Sequence, residues 1–343
     1  MSRKKKLNVA LIFGGTSAER GVSLRTGETI AQHLNAEKYN VLPIEISSRG
    51  KWLVASPTIA RISRKITVLK ATSTKQLIAV DKDSRSKIDV ALLALHGPGG
   101  EDGTIQGMLE LLKIPFTCSG VLASSLAMDK ARTKRLLAAV GLPVAPDLVV
   151  KKKDSKKKIQ HFVDQNHGRL IIKPNRMGSS LGVTIAAGRS AVITALRRAF
   201  RYDSEVLIEP YIRGREITVP VLGNDDPSAL PVIEIIPWKK SVFYDYSAKY
   251  ETGGSEHIIP APITREQEQL VKLLAVKAHK ALGCRGVTRS DFILDNAGRF
   301  YFLEINTIPG MTPTSLVPQA AAAAGISFRR LLEILIRLAF EPQ

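Results

Sequence analysis

Short apolar runs alternate with amphipathic segments along the first third of the chain. Three runs are typical of strands: LNVALIFGG, NVLPIEIS and IDVALLALHG. Two segments repeat their apolar residues at helical spacing: VSLRTGETIAQHL and TIQGMLELLK. Strands that alternate with helices predict a parallel sheet, so we expect an α/β domain over residues 1–122. Residues 50–87 are irregular and predict no element.

The remaining chain mixes strands and helices in a different order. VLASSLAMDKARTKRLLAAVG predicts one helix that ends at Gly141 and Pro143. Four strand-like runs and two helical ones follow: APDLVV, KKKIQHFVDQ, RLIIKP, GVTIAA, SAVITALRRAF and EVLIEPYI. A hairpin, a polar loop at residues 243–257, a long helix, two strands and a closing helix complete the pattern. We therefore expect two α+β units, over residues 123–214 and 215–343.

The composition is that of a soluble globular protein, with one exception in its charge. The 343 residues are 44% apolar and 24% charged, enough for two or three domains. We expect no membrane span, because no apolar run approaches about 18 residues. We also expect no signal peptide, because the basic start MSRKKKLN leads into a short strand-like run without a cleavage-site pattern. The net charge of +19 is compatible with a nucleic-acid or polyanionic partner. No zinc-finger spacing or RNA-binding aromatic pattern accompanies the lysine runs, so we expect a solvated surface and no nucleic acid. Cys118 and Cys284 suit a reducing cytosol.

An apolar segment near the C-terminus carries unexpected polar residues. GVTRSDFILDNAGRFYFLEIN predicts two strands joined by a turn at residues 295–298. Pairing the first and last turn residues places Arg289 opposite Glu304. The same register places Asp291 opposite Phe302. Because side chains alternate faces, one face is predicted to hold four polar residues: Arg289, Asp291, Glu304 and Asn306.

This polar face suits a divalent cation. Two neighbouring carboxylates repel each other unless a cation lies between them. The oxygen atoms of Asp291, Glu304 and Asn306 form a hard ligand set that Mg²⁺ or Mn²⁺ prefers. The alternative is a surface ion pair between Arg289 and Glu304 with Asp291 solvated, and the pattern alone leaves both open.

Three further segments offer groups for binding anions or substrates. Lys173 ends a strand before a Gly/Ser loop, whose N–H groups and hydroxyls can cover phosphates, although a plain hairpin is the alternative. GGTSAERGVS is not a dinucleotide fingerprint, and its Glu19 could simply favour a helix N-terminus. His96, Glu101 and Asp102 lie between a buried strand and a helix, where α/β sheets usually bind ligands.

Taken together, these segments resemble the ATP-grasp carboxylate–amine ligases, and within them the D-alanine–D-alanine ligases. Eight matching segments occur in the family's order: GGTSAERGVS, HGPGGEDGTIQG, SGVLASSLAMDK, IIKPNRMGSSLGV, EPYIRGREITV, FYDYSAKY, RSDFILD and FLEINTIPGMTPTSLVP. The resemblance implies an ATP-grasp fold, in which a parallel α/β domain precedes two α+β domains that enclose ATP. It also implies a cytoplasmic, homodimeric enzyme that joins two D-alanine molecules for peptidoglycan, releasing ADP and phosphate.

The resemblance also implies the nucleotide and metal contacts. ATP would be bound by Lys130, Lys173, Ser180, Glu209, Tyr211, Ile212, Glu216, Lys249 and Asn306. Lys130 and Lys173 would contact the phosphates, and Glu209 would line the adenine pocket. Two Mg²⁺ or Mn²⁺ ions would be held by Asp291, Glu304 and Asn306, bridging the phosphates.

The substrate contacts follow from the same resemblance. They comprise Glu19, His96, Arg289, Gly310, Ser315 and Leu316. Glu19 would hold the ammonium group of the first D-alanine, and Ser315 and Leu316 would meet the carboxylate of the second. Arg289 and the Gly310 N–H would bind the oxyanion of the tetrahedral intermediate.

A third set of residues would close the site. The resemblance implies that Glu19, Ser179 and Tyr250 form a hydrogen-bonded set that closes the loop at residues 243–257. Such a lid protects a reactive acyl phosphate from water. The chain departs from the family at Gly21, where a second acidic residue is often found, and we expect activity to survive because Glu19 is intact.

Two alternatives to dipeptide synthesis remain open at this stage. Lys249 and Tyr250 match the dipeptide-forming members, whereas His257 leaves room for a D-alanine–D-lactate type ligase. A basic nucleic-acid-binding protein on a degenerate ligase fold is the other alternative. The intact lysines and carboxylates favour an enzyme.

Overall fold

The computed structural model describes residues 6–54, 88–166, 168–237 and 255–342. The first sheet consists of β1 (Leu7–Gly14), β2 (Tyr39–Ile46), β3 (Trp52–Val54) and β4 (Val90–Leu95), in the order β3-β2-β1-β4. Its helices are α1 (Arg20–His33) and α2 (Thr104–Leu111). β1 is parallel to both of its neighbours and only β3, at the edge, is antiparallel, which confirms the predicted α/β arrangement. β4 is buried along its whole length, as expected of a strand covered on both faces.

Two helices lead to a small antiparallel sheet. They are α3 (Val121–Met128) and α4 (Lys130–Ala139). The sheet contains β5 (Leu148–Lys151), β6 (Arg169–Pro174), β7 (Thr184–Ala187) and β8 (Glu205–Pro210), in the order β5-β8-β6-β7. α5 (Lys156–Gln165) and α6 (Arg189–Ala199) pack on it. This unit agrees with the predicted strands and helices.

The third sheet is also antiparallel. Its strands are β9 (Gly214–Leu222), β10 (Ser228–Ala229), β11 (Ile233–Pro237), β12 (Ser255–Ile258), β13 (Val287–Asp295) and β14 (Phe300–Asn306). The order is β12-β11-β9-β13-β14, with β10 beside β9. The helices of this region are α7 (Arg265–Ala281), α8 (Leu316–Ala323) and α9 (Phe328–Leu338). None of the helices in the described ranges combines the length and hydropathy needed to cross a bilayer.

The prediction of one helix across residues 121–141 is wrong. The helix breaks at Asp129, whose backbone is extended (φ −89°, ψ 91°). The Asp129 side chain accepts a hydrogen bond from the Arg132 N–H, so it caps α4 instead of continuing α3. Aspartate competes well for such N–H groups, which explains the break. The break places Lys130 at the first position of α4.

The predicted register of β13 and β14 is also wrong, although the hairpin itself is confirmed. The observed pairs include Arg289–Asn306, Asp291–Glu304 and Phe292–Phe302. One residue of offset arises at the turn, where the Asp295 carbonyl accepts from the expected Gly298 N–H but the Asp295 N–H donates to the Arg299 carbonyl. A β-bulge between Asp291 and Phe292 adds a second residue. The two offsets together shift the pairing by two residues, which is one full period of side-chain alternation. The four polar residues therefore still share one face.

Three hydrophobic clusters hold the fold together. The first joins the parallel sheet to α8 and α9, through residues such as Leu11, Leu92 and Leu335. The second packs α3, α4 and α7 on the third sheet, and the third lies within β5–β8. The core residues of α3 and α4 are therefore shared with the C-terminal sheet. The domain limits at residues 122 and 214 stay a prediction.

Buried His279 makes stability depend on pH. It is fully buried in α7, its Nδ1 atom lies 2.8 Å from Thr288 Oγ1, and burial lowers its pKa to about 4 from 6.5. The unfolded chain therefore binds more protons than the folded one between these values, and stability is lost as pH falls. When the pH falls from 7.5 to 5.5, the protonation of this residue in the unfolded chain should lower the free energy of unfolding by about 1 kcal/mol.

Urea unfolding of the wild type at the two pH values measures this loss. In His279→Gln, the difference in the free energy of unfolding between the two pH values should be smaller by about 1 kcal/mol than in the wild type. His33→Gln, which changes an exposed histidine of α1, is the matched control and should leave it intact. An unchanged pH dependence in His279→Gln would contradict the assignment.

Candidate active site

A cavity of about 470 Å³ separates the second sheet from the third. Its size is within the usual range for small-molecule sites. Its lining includes most of the residues expected at ATP: Lys130, Lys173, Ser180, Glu209, Tyr211, Ile212 and Glu216. The carboxylates of Asp291 and Glu304 lie on the same cavity, and Asn306 lines a small adjoining one. Lys249 and Tyr250 lie outside the described residues. The structure thus brings together residues from β6, β8, β9, β13 and β14.

Glu209 lines the cavity and lies between two lysines. Its Oε2 atom is 2.6 Å from Lys173 Nζ, and its Oε1 atom accepts a hydrogen bond from Lys134 Nζ. Burial would raise the pKa of Glu209, but the charges of Lys173 and Lys134 outweigh burial and lower it. Glu209 therefore presents an ionised acceptor to the cavity, paired with the cavity-lining Lys173.

The carboxylates of β13 and β14, Asp291 and Glu304, also line this cavity. Arg289 donates to Asp291 through two hydrogen bonds, Nε to Oδ1 at 2.9 Å and a terminal nitrogen to Oδ2 at 2.8 Å. Thr218 Oγ1 donates to the same carboxylate at 2.5 Å. Lys130 Nζ lies 3.3 Å from Glu304 Oε2. Asp291 is thus held by two partners and is not merely solvated, as the ion-pair alternative required.

This donor set fits a divalent cation. Carboxylate oxygens keep spare lone pairs after accepting a hydrogen bond. The Asn306 Nδ2 atom is buried and finds no partner among the described residues, so this N–H donor can serve a phosphate oxygen, whereas the Oδ1 atom of the same amide would be the one to ligate a cation. Within the described ranges no three His, Cys, Asp or Glu side chains group around a metal position. A cation here would therefore need ligands beyond Asp291 and Glu304, such as the Asn306 amide and phosphate oxygens.

Glu19 is enclosed by two glycine loops. It is 6% exposed and occupies the N-cap position of α1, but its side chain makes no capping bond. Instead it accepts a hydrogen bond from Ser179 Oγ. A Cβ atom placed on Gly97 or Gly178 would lie 2.7 Å from Glu19 Oε2. Two glycines are needed for this approach, which joins the first sheet to the loop after β6.

Two more titratable groups surround Glu19. His96 is buried, with Nε2 3.3 Å from Thr26 Oγ1, and burial lowers its pKa against the opposing effect of Glu19. Glu101 accepts a hydrogen bond from the Gly97 N–H at 2.7 Å. Burial, and then the charge of Glu19, raise the pKa of Glu101 to about 8. Both pKa shifts favour the uncharged forms of His96 and Glu101 at neutral pH.

Gly310 and Ser315 lie together between β14 and α8. Ser315 is the N-cap residue of α8, and its Oγ atom accepts a hydrogen bond from the Thr312 N–H at 3.0 Å. A Cβ atom on Gly310 would lie 3.0 Å from that Oγ atom. Leu316, the first residue of α8, is buried. Helix N-termini favour anions, so this corner suits a carboxylate.

The sequence did not point to Lys134. This residue is 1% exposed and also lies 3.3 Å from Asp147 Oδ1. The only signal is its position four residues after Lys130, which places both lysines on the same side of α4. Thr218 was likewise given no role, and Glu101 was named only as a loop residue at a position where α/β sheets usually bind ligands.

Comparison with known proteins agrees with this geometry. Profiles described as the D-ala D-ala ligase N-terminus and C-terminus match residues 8–119 and 136–337. The chain is 43% identical to the D-alanine–D-alanine ligase of Pelotomaculum thermopropionicum, over 98% of this chain and 97% of that one. It is 44% identical to the ligase of the same name from Syntrophobacter fumaroxidans, over 98% and 99%.

Two solved structures share the fold. VanG D-Ala:D-Ser ligase from Enterococcus faecalis superposes with a TM-score of 0.84 at 32% identity, covering 98% of this chain and all of that one. The D-alanine–D-alanine ligase of Coxiella burnetii gives a TM-score of 0.82 at 28% identity, over 97% and 95%. The expected ATP-grasp fold is thereby confirmed.

Proposed function

The chain belongs to the D-alanine–D-alanine ligase family, and we propose that its cavity joins two D-alanine molecules through a D-alanyl phosphate. The observation that carries this proposal is the composition of one cavity. Lys130, Lys173, Asp291 and Glu304 all line it, so cations for phosphate and carboxylates for metal meet at one place. The many relatives named for dipeptide synthesis do not favour the D-lactate alternative.

The first step is phosphoryl transfer from ATP. A carboxylate oxygen of the first D-alanine attacks the γ-phosphorus, and the bond to the departing ADP breaks with its electron pair on ADP. Lys130 and Lys173 stabilise the charge that spreads over the phosphoryl oxygens. Glu19 holds the D-alanine ammonium group, and neutral His96 beside it adds no repelling charge. These contacts orient the attacking carboxylate.

The second step forms the peptide bond. The neutral amine of the second D-alanine attacks the acyl carbon, and the tetrahedral intermediate expels phosphate and loses a proton. Arg289 and the Gly310 N–H donate to the oxyanion. Ser315 and the start of α8 hold the carboxylate of the incoming amino acid. Ser179, bonded to Glu19, ties the loop after β6 to the substrate corner and limits the access of water.

Divalent ions complete the charge balance of the site. Asp291, Glu304 and Asn306 would hold Mg²⁺ or Mn²⁺, and we propose two such ions. When bound, they neutralise phosphate charge and polarise the phosphoryl group. Arg289 and Thr218 keep the Asp291 carboxylate oriented toward the cavity meanwhile.

Product analysis tests the proposed reaction. Purified protein is incubated with ATP, Mg²⁺ and D-alanine, and ADP, phosphate and dipeptide are measured together. We expect all three in equal amounts. Phosphate release that does not depend on D-alanine would contradict the proposal, and a depsipeptide formed from added D-lactate would favour the D-lactate alternative.

Gly178→Ala should weaken D-alanine binding selectively. The added methyl group would lie 2.7 Å from Glu19 Oε2, at the flexible end of that side chain, so the carboxylate moves while the fold persists. Because a charged hydrogen bond is misplaced, we expect the KM for D-alanine to rise about 10-fold or more, with little change for ATP.

Gly21→Ala is the matched control for this substitution. Its methyl group would meet only Arg25, at an ordinary 3.8 Å, and alanine favours helix α1. Its KM for D-alanine should stay within about 2-fold of the wild type. A similar KM for both variants would argue against the assigned role of Glu19.

We further propose a cytoplasmic homodimer. Cys118 and Cys284 are buried free thiols, which suits a reducing compartment. Size-exclusion chromatography with light scattering measures the oligomeric state directly, and a monomer at micromolar concentration would contradict the dimer.

A further inference from the structure

Lys134 is a buried cation that does not line the cavity. It is 1% exposed, and its Nζ atom contacts two carboxylates, Glu209 and Asp147. A buried lysine without partners would lose its charge, so this arrangement needs both acids. Glu209 lines the cavity and Lys134 does not, so their ion pair joins a lining carboxylate to a residue outside the lining.

The two carboxylate oxygens of Glu209 contact two different lysines, of which one lines the cavity and the other does not. Oε1 bonds to Lys134, and Oε2 lies 2.6 Å from Lys173, which lines the cavity. The cluster of Lys134, Lys173, Glu209 and Asp147 has no net charge. A polyphosphate entering the cavity competes for Lys173 but not for Lys134.

We propose that Lys134 is the fixed counter-ion of Glu209, a positioning residue that makes this carboxylate select a 6-aminopurine nucleotide. The inference rests on the proposed binding of ATP in this cavity. When Lys173 turns to the phosphates, Lys134 keeps Glu209 ionised and holds its orientation. An ionised carboxylate only accepts hydrogen bonds, so it pairs with the 6-amino group of adenine and repels the 6-oxo group of guanine.

Removing Lys134 changes the chemistry of Glu209. Without that partner, a buried carboxylate takes up a proton once Lys173 leaves it. The protonated group both donates and accepts, so it no longer excludes a 6-oxo group. The predicted consequence is a loss of nucleotide selectivity, with a smaller effect on turnover at saturating ATP.

Calorimetric binding of ATP and GTP to the full chain tests this inference, alongside kcat and KM for each nucleotide. We expect Lys134→Met to lower the ratio of ATP to GTP affinity about 10-fold or more. Lys134→Arg, which keeps the charge, should restore the ratio to within about 3-fold of the wild type. Equal losses for both nucleotides would show a merely structural role and overturn the proposal.

A double variant covers the case in which Lys134→Met does not fold. Two variants are compared: Glu209→Gln alone, and Glu209→Gln combined with Lys134→Met. Both lack the carboxylate through which Lys134 acts, and the double variant also keeps the cluster neutral. The proposal predicts the same ATP to GTP ratio in both, and different ratios would overturn it. If the wild type binds neither nucleotide, the proposed function fails instead, so the two failures are distinguishable.

Discussion

Replacing Glu304 with glutamine lowers kcat by at least about 100-fold while the fold persists. Glutamine keeps the size of the side chain but loses the negative charge that a divalent ion requires of its ligands. Glu304 also lies 3.3 Å from Lys130 Nζ, so its loss changes the environment of a proposed phosphate contact. Initial rates of ADP release, measured against Mg²⁺ concentration, provide the readout. The Mg²⁺ requirement should rise together with the fall in kcat.

Glu333→Gln provides the matched control for this prediction. The Glu333 side chain is 14% exposed, against 22% for Glu304, and it pairs with Lys38 at 2.9 Å on the remote helix α9. Its kcat should stay within about 2-fold of the wild type. Undiminished turnover of Glu304→Gln at saturating Mg²⁺ would refute the metal-binding role of Glu304.

Arg289→Lys lowers kcat by about 100-fold and changes the KM for ATP much less. Arginine presents a planar fork of five N–H groups, two of which hold Asp291. Lysine keeps the charge but cannot make both contacts at once. Since the oxyanion forms only during the reaction, the loss should fall on kcat and not on substrate binding.

The same hairpin supplies a control for Arg289. Arg299 makes a similar pair with Asp295, with Nε 3.0 Å from Oδ2, but it is exposed at the turn. Arg299→Lys should therefore leave kcat within about 2-fold of the wild type. If Arg289→Lys behaves like Arg299→Lys, the oxyanion role is wrong.

The polar face of the C-terminal hairpin could be predicted from the sequence although its register could not. Side chains alternate faces every second residue, so a shift of two residues leaves the faces unchanged. The turn and the bulge at Asp291 each shift the pairing by one residue, and together they make such a shift of two. The offset and the bulge depend on a positive φ at Gly298 and on pairing with the neighbouring β9. Such tertiary pairing has no periodic signature in the sequence.

The helix break at Asp129 and the role of Lys134 show the same limit. In the sequence, Asp129 lies within a run that predicts one continuous helix. In the structure, its side chain caps α4, so the chain changes direction between α3 and α4. Lys134 reads as an exposed helical lysine, because its partner Glu209 comes from β8 and its partner Asp147 from the loop before β5. The sequence predicts local elements and motif order, whereas buried charge pairs follow from packing between distant segments.

The two closing helices belong to a different core than their position suggests. α8 and α9 follow the β13–β14 hairpin, yet their apolar residues pack with the N-terminal sheet. The segment between β14 and α8 thereby reaches the N-terminal unit, where the Ile308 backbone hydrogen-bonds to His96. The surroundings of His96 are therefore assembled from both ends of the chain, which amphipathic periodicity cannot reveal.

The transfer of a labelled oxygen tests the proposed acyl phosphate most directly. D-alanine is labelled with ¹⁸O in its carboxylate and incubated with the enzyme, ATP and Mg²⁺, and the released phosphate is analysed by mass spectrometry. If the carboxylate attacks the γ-phosphorus, each phosphate carries one labelled oxygen and ADP accumulates in equal amount. Unlabelled phosphate, or AMP with pyrophosphate, would contradict the proposed reaction.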